Sequence, residues 1–205
     1  YKDLLAVEIY GDSLCEGKEL RIKSNVVCGV NGYKYFWSGP NNFTSNDTNV
    51  YLSKAKYINS GWYYLKVTMN DLEATDSVFV QVYSKPNIYF EPQEPVTICE
   101  GDSVTIKAKS DCTITAYKWS DGSIKESILV KNTGYYAVLI TDSNGCTNVD
   151  SVLVNVSPNP IVKILALGNP EFCLGDSVTL KATPEDLASY LWSDGSTEKT
   201  ITVKE

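Results

Sequence analysis

The side chains of this 205-residue chain with the widest choice of chemistry are its six cysteines. None belongs to a Cys-x-x-Cys pair, which disfavours zinc, and their recurrence at matching places favours disulfides formed in an oxidising compartment. Histidine is absent, which removes every mechanism built on an imidazole base or an imidazole ligand. Asp142-Ser-Asn-Gly-Cys-Thr-Asn-Val-Asp150 carries side-chain oxygens at turn spacing. It lacks the closing bidentate glutamate of a calcium loop, so a hairpin turn is the better reading. Asp71 and Glu73 have the residue types of a glycosidase pair, but nothing marks them as buried or opposed, and solvated loop charges account for them. In the run Trp62-Tyr63-Tyr64, strand alternation sends Tyr63 inward and Trp62 and Tyr64 outward. Exposed rings of this kind stack on sugars or on a partner protein; packing beneath the loop of residues 39–56 is the alternative. No cofactor and no catalytic residue is expected from these types and spacings.

Composition sets the frame for these residues. Hydrophobic residues make up 43% and charged residues 21%, which is ordinary for a folded globular chain. No apolar run reaches the roughly 18 residues that span a bilayer, so membrane insertion is not expected. Eighteen basic against twenty-five acidic residues leave a net charge of −7, the wrong sign for gripping a phosphate backbone. The chain opens on Tyr1, which reads as a mature or internal segment whose targeting signal lies elsewhere.

The elements that must position the cysteines and aromatics come in an internal repeat. Cys15-Glu-Gly-Lys-Glu-Leu-Arg-Ile-Lys, Cys99-Glu-Gly-Asp-Ser-Val-Thr-Ile-Lys and Cys173-Leu-Gly-Asp-Ser-Val-Thr-Leu-Lys align with one another. Each is followed by an aromatic-x-Trp-Ser element at Trp37, Trp119 and Trp192, and the two series of markers share nearly the same spacing. Proline-bearing stretches at Ser84-Lys85-Pro86 and Ser157-Pro158-Asn159-Pro160 separate the copies. The expected domains are therefore residues 1–84, 85–158 and 159–205, strung end to end by short linkers.

Each copy reads as strands. Val104, Ile106 and Ala108 alternate with polar neighbours; Val78, Val80 and Val82 alternate with Ser77, Phe79 and Gln81, and Val152, Val154 and Val156 with Ser151, Leu153 and Asn155. Asn31-Gly32, Asp121-Gly122, Asn144-Gly145 and Asp194-Gly195 mark turns. Many short strands with frequent turns mean an all-β sandwich or barrel. The detail favours tandem immunoglobulin-like β-sandwiches, the third one incomplete. Trp37, Trp119 and Trp192 are the expected core pins on the third strand. Asn59-Ser-Gly-Trp-Tyr63 and Asn132-Thr-Gly-Tyr-Tyr136 match a tyrosine corner, which makes Tyr63 and Tyr136 core pins too. Two residues further on, where an antibody domain carries cysteine, stand Leu65 and Val138. Their strand partners are Ile22 and Ile106, so aliphatic packing replaces the inter-sheet disulfide. Copy three stops before its strand F tyrosine. Half a sandwich leaves an open apolar face, so continuation of the natural chain past Glu205 is expected, with a strand donated by another chain as the alternative.

Sandwich geometry also orders the cysteines. Cys112 follows the second strand and Cys146 sits in the last hairpin, at one pole, and these two are the first choice for a bond. Cys15, Cys99 and Cys173 lie at the opposite pole, which in an end-to-end array faces the next domain. Inter-domain bonds are therefore open alternatives: Cys15 to Cys146 or Cys112, Cys99 to a cysteine in the missing part of copy three, and Cys28 to a preceding domain. Free thiols are the remaining reading.

Ile98-Cys-Glu-Gly-Asp-Ser-Val-Thr-Ile106, Tyr117-x-Trp-Ser-Asp-Gly-Ser123, Gly134-x-Tyr136 and Thr141-Asp-Ser-Asn-Gly-Cys146 together resemble the tandem Ig-like and PKD-like repeats of large secreted Bacteroidota surface proteins. Such repeats occur in gliding-motility-associated adhesins and type IX secretion cargo. The likeness covers copy two and what is present of copy three. Copy one departs from it, with Glu19 in place of Asp-Ser, a longer insert after Trp37 and no Asn-Gly-Cys hairpin. The resemblance implies a structural stalk or adhesin module at the bacterial cell surface, not an enzyme. Its partners would be a protein or glycan surface ligand, or neighbouring domains of the same chain. The alternatives are a carbohydrate-binding accessory module of a secreted enzyme, and a filament subunit or secretion cargo bound by a protein. The resemblance also implies O-glycosylation within Asp-Ser-aliphatic triplets, at Ser13, Ser77, Ser103, Ser151 and Ser177. Turn chemistry at strand starts explains the same triplets without a glycan. The sequons at Asn42, Asn46 and Asn155 would matter only in a eukaryotic secretory pathway.

Overall fold

A computed structural model describes residues 5–27, 32–171 and 173–204. Contacts divide the chain into two compact units, residues 1–96 with 103–155 and residues 97–102 with 156–205. The first unit holds two sandwiches.

The first sandwich is built from β1 (Ala6–Gly11), β2 (Leu14–Cys15), β3 (Leu20–Val27), β4 (Lys34–Gly39), β5 (Phe43–Ser45), β6 (Val50–Leu52), β7 (Gly61–Met69), β8 (Leu72–Val80) and β9 (Val82–Tyr83), with a 3-10 turn at Tyr57–Asn59. One sheet has the order β1-β3-β6 and the other β5-β4-β7-β8. The period-2 pattern decides which side chains lie between them. On β7, Tyr63, Leu65, Val67 and Met69 are buried while Trp62, Tyr64 and Lys66 face outward. Ile22 on β3, Trp37 on β4 and Leu65 on β7 belong to one core and are essentially inaccessible to solvent. Aliphatic carbon thus fills the place of an inter-sheet disulfide.

The second sandwich comprises β10 (Tyr89–Glu91), β11 (Val96–Cys99, which straddles the two units), β12 (Val104–Lys109), β13 (Ile114–Trp119), β14 (Ser127–Val130), β15 (Gly134–Asp142) and β16 (Thr147–Ser157). One sheet has the order β10-β12-β14, and β13, β15 and β16 pair antiparallel in the other. The registers repeat those of the first sandwich. Trp119 stands opposite Val138 as Trp37 stands opposite Leu65, and Tyr136 opposite Val152 as Tyr63 opposite Val78. Ile106 and Val138 are fully buried.

Both tyrosine corners are present. The Tyr63 and Tyr136 hydroxyls each donate to the backbone carbonyl four residues upstream, on Asn59 and Asn132, at 3.0 Å. Their burial differs. Tyr63 is fully buried against the ring of Phe43 on β5, with centroids 5.7 Å apart. Tyr136 is only half-buried, which corrects its assignment as a core pin. The stretch from Ser120 to Glu126 is a short turn with no counterpart of β5 to supply a covering ring.

In the second unit, β17 (Lys163–Leu167), β18 (Ser177–Thr183) and β19 (Thr200–Lys204) form one antiparallel sheet in the register of β10, β12 and β14. Phe90 on β10 is 7% exposed, whereas Ile164 at the same register position on β17 is 59% exposed. Val138, Ile140, Val152 and Val154 supply buried apolar side chains to the second sandwich. Among the described residues no second sheet covers β17–β19. Trp192 is accordingly not a core pin. It lies half-buried outside any strand, because the strand carrying Trp119 is held by its pairing with β15, and residues 190–192 have no such partner. The indole is still tied locally, donating to the Glu198 carbonyl at 2.7 Å, as Trp119 does to Lys125 and Trp37 to Asp47 at 2.8 Å.

Candidate functional site

Two features of the first unit are built by particular residues and not by the fold in general. One is a covalent junction. β2 runs parallel to β9, with Cys15 opposite Tyr83, and the Glu16 amide donates to the Tyr83 carbonyl at 2.7 Å. Cys15 is thereby held where the chain leaves the first sandwich. On the second sandwich, the β15–β16 hairpin approaches that exit, where the Asn148 side-chain amide donates to the Pro86 carbonyl at 2.9 Å. Cys146 in this hairpin is bonded to Cys15, with the Cα atoms 5.5 Å apart. The first-choice pairing of Cys112 with Cys146 is therefore not made. Cys112 is an exposed thiol in the loop between β12 and β13, its sulfur 3.4 Å from the Ser110 hydroxyl. Cys99 and Cys173 are likewise exposed thiols, and Cys28 lies outside the described residues.

The hairpin is preorganised by Asp142, a buried carboxylate. Its Oδ1 accepts from the amides of Asn144 and Cys146 at 2.9 and 2.8 Å. Gly145 follows at φ 78°, where a Cβ would be strained. The Asp142–Asp150 stretch thus spends its first carboxylate on the turn that presents Cys146. Among the described residues no group of three or more acidic, cysteine or histidine side chains is placed to hold a metal ion.

The other feature is the outer face of the sheet β5-β4-β7-β8. Register pairs Trp62 with Phe79, Tyr64 with both Ser77 and Ser38, and Lys66 with both Thr75 and Phe36. The rings of Phe36, Trp62, Tyr64 and Phe79 are each 47–52% exposed. Trp62 and Tyr64 are inclined by only 29° at 6.5 Å, and Phe79 meets Trp62 edge-on at 5.5 Å. An open groove of about 550 Å³ runs beside them, lined by Phe36, Ser38, Tyr64, Lys66, Thr75 and Ser77. Sequence alternation placed Trp62 and Tyr64 outward, but Phe36 and Phe79 were missed. They join the patch through cross-strand register, which a single strand's pattern does not reveal. Glu73 closes an ion pair with Lys66 at 2.6 Å.

The serines of the Asp-Ser-aliphatic triplets occupy different settings. Ser13, Ser77, Ser103 and Ser177 are exposed and Ser151 is half-buried. In four triplets the aspartate is tied to the backbone. The Asp76 carboxylate accepts from the amides of Ile9 and Ser77 and that of Asp150 from Ser151, while the Asp102 and Asp176 amides close turns onto the Cys99 and Cys173 carbonyls. Asn42 lies in the β4–β5 turn at φ 57°.

These elements define an all-β protein of tandem immunoglobulin-like sandwiches. No family profile and no curated protein matches the chain. Among solved structures it is similar to the three N-terminal domains of the highly immunogenic outer capsid protein (Hoc) of bacteriophage RB49, at 13% identity over 88% of this chain and 67% of that one, TM-score 0.41. It is similar also to the insect immune protein hemolin, at 17% identity over 77% of this chain and 48% of that one, TM-score 0.47. The two-domain structure of DIP-gamma matches at 13% identity, 74% of this chain and 97% of that one, TM-score 0.36. The chain thus spans about half of the hemolin chain. Likeness at this level carries no inference about what this chain binds.

Proposed function

We propose that this chain is a structural stalk or adhesin module of an exported bacterial cell-surface protein, non-catalytic, with domains at residues 1–84, 85–158 and 159–205. The observation that carries this reading is the Cys15–Cys146 bond, which ties one sandwich to the next at the point where the chain passes between them. A disulfide persists in an oxidising compartment and removes freedom from a junction that a short linker alone leaves hinged. Its work is spatial: serial sandwiches with stapled junctions hold a binding surface away from the cell.

The repeat extends the reading. Cys99 ends β11, and the Glu100 amide after it donates to the Ser157 carbonyl at 2.9 Å. That is the bond Glu16 makes beside Cys15. Cys99 thus offers a following sandwich the staple that Cys15 offers Cys146. Ser13, Ser103 and Ser177 present exposed hydroxyls for O-glycans of an exported protein; Ser151 does so less openly, and Ser77 lines the groove beside Tyr64.

Non-reducing peptide mapping of natively isolated protein, with glycan-sensitive fragmentation, tests the proposal. A linked Cys15–Cys146 peptide and hexose-bearing serine peptides are expected. Free thiols at both positions together with unmodified serines would overturn it.

A further inference from the structure

We infer that the outer face of the sheet β5-β4-β7-β8 is a binding platform for a neutral polysaccharide, with pyranose rings stacking on Trp62 and Tyr64 and flanked by Phe36 and Phe79. The first observation is internal. The second sandwich repeats the same strand frame and register, yet where the first carries Trp62, Tyr64, Phe79 and Phe36 it carries Tyr135, Ala137, Leu153 and Lys118. The fold does not require four rings on this face. Half-exposed rings also contribute little to the core, and a contiguous exposed aromatic patch marks an interaction site.

The remaining residues of the face select the ligand. Between and beside the rings stand Ser38, Lys66, Thr75 and Ser77, with Lys34, Thr68 and Glu73 at the far end. Every outward position on β4, β7 and β8 along this register is aromatic or able to hydrogen-bond, and none is aliphatic. The core of a protein–protein interface shares this enrichment in aromatic rings but is depleted in lysine, glutamate and serine, and here such polar residues stand between and beside the rings, which favours a glycan over a protein. A pyranose has the complementary make-up: an apolar C–H face for an aromatic plane and an equatorial rim of hydroxyls for serine, threonine and lysine. The shallow inclination between Trp62 and Tyr64 presents two platforms to one chain of sugars, and the open groove leaves room for a polymer to run through. The Lys66–Glu73 pair leaves Lys34, at the far end, as the one further charge among these positions, and a face with so little net charge suits a neutral glycan better than an acidic one.

Affinity electrophoresis of the full 205-residue chain in gels containing mixed-linkage β-glucan, xylan or galactomannan tests the inference. Retardation by at least one polymer is expected. Trp62→Ala and Tyr64→Ala should each weaken it about tenfold or more, as for residues that carry most of a binding energy. Tyr135→Ala, an exposed ring on the second sandwich, should leave it unchanged. Matching thermal melts for the variants would keep the result from being a folding effect. No retardation by any of the three polymers, or retardation that survives both ring deletions, would overturn the inference. So would a concentration-dependent dimer in sedimentation that Trp62→Ala abolishes, which would assign the face to a second copy. A covalent glycan on Ser77 filling the groove would overturn it likewise. None of these results bears on the stapled junction, whose test is the linked Cys15–Cys146 peptide.

Discussion

Cys15 on β2 is bonded to Cys146 in the β15–β16 hairpin, 131 residues further along the chain. The bond joins two sandwiches that each have their own buried core, so its effect falls on the junction and not on either core. Iodoacetamide without reductant should label Cys99, Cys112 and Cys173 and spare Cys15 and Cys146. Cys146→Ser should make Cys15 reactive and broaden the distance distribution in small-angle scattering, while each sandwich keeps its strand content by circular dichroism. Labelling of Cys146 in the untreated wild type would contradict the pairing.

The packing of Tyr63 against Gly39 offers a test of the first core. A Cβ added at Gly39 would stand 2.7 and 2.8 Å from two ring carbons of Tyr63. The glycine is not at positive φ, so Gly39→Ala reports packing alone. It should destabilise the first sandwich by about 1–3 kcal/mol, the usual cost of overpacking. Urea melts would read the change. No loss would mean that the ring moves aside.

Tyr63 also makes stability depend on alkaline pH. Burial pushes its phenol above the ordinary value of 10.0. The folded state therefore keeps this proton to higher pH than the unfolded chain. The contribution is fully present below about pH 10 and is lost as pH rises through the folded value. Tyr63→Phe should flatten this alkaline slope. At neutral pH it should cost about 1 kcal/mol through loss of the bond to Asn59. Denaturant midpoints taken from pH 8 to 11 on both proteins would show the difference.

The equivalent tryptophans Trp37 and Trp192 should respond unequally to deletion. Trp37 is fully buried, and Trp37→Ala should cost roughly 3–5 kcal/mol. Trp192 is half-buried and holds only a local turn through Glu198. Trp192→Ala should cost less than about 1 kcal/mol. Equal losses in thermal melts would mean that Trp192 is packed more deeply than its surroundings indicate.

Much of the architecture was legible from local pattern. Alternation of apolar and polar residues is a property of a single strand, so β7, β12 and β16 and the inward turn of Tyr63 could be read directly. So could the tyrosine corners, whose hydrogen bond spans only four residues. The substitution of Leu65 and Val138 for cysteine was legible once the repeats were aligned. Burial of Trp192 was not, because it depends on a partner strand and not on its own motif. Nor was the partner of Cys146. Pole assignment brought Cys112 near it, but the parallel pairing of β2 with β9 carries Cys15 to the junction instead, and parallel pairing leaves no turn signal to read. The four-ring face was half visible for the same reason. The chain's sequence determined the strands, their inward faces and the repeat, all of which follow from neighbours two to four residues apart. Tertiary structure decided which cysteines meet and which rings share a surface, because those contacts are set by register between strands distant in sequence.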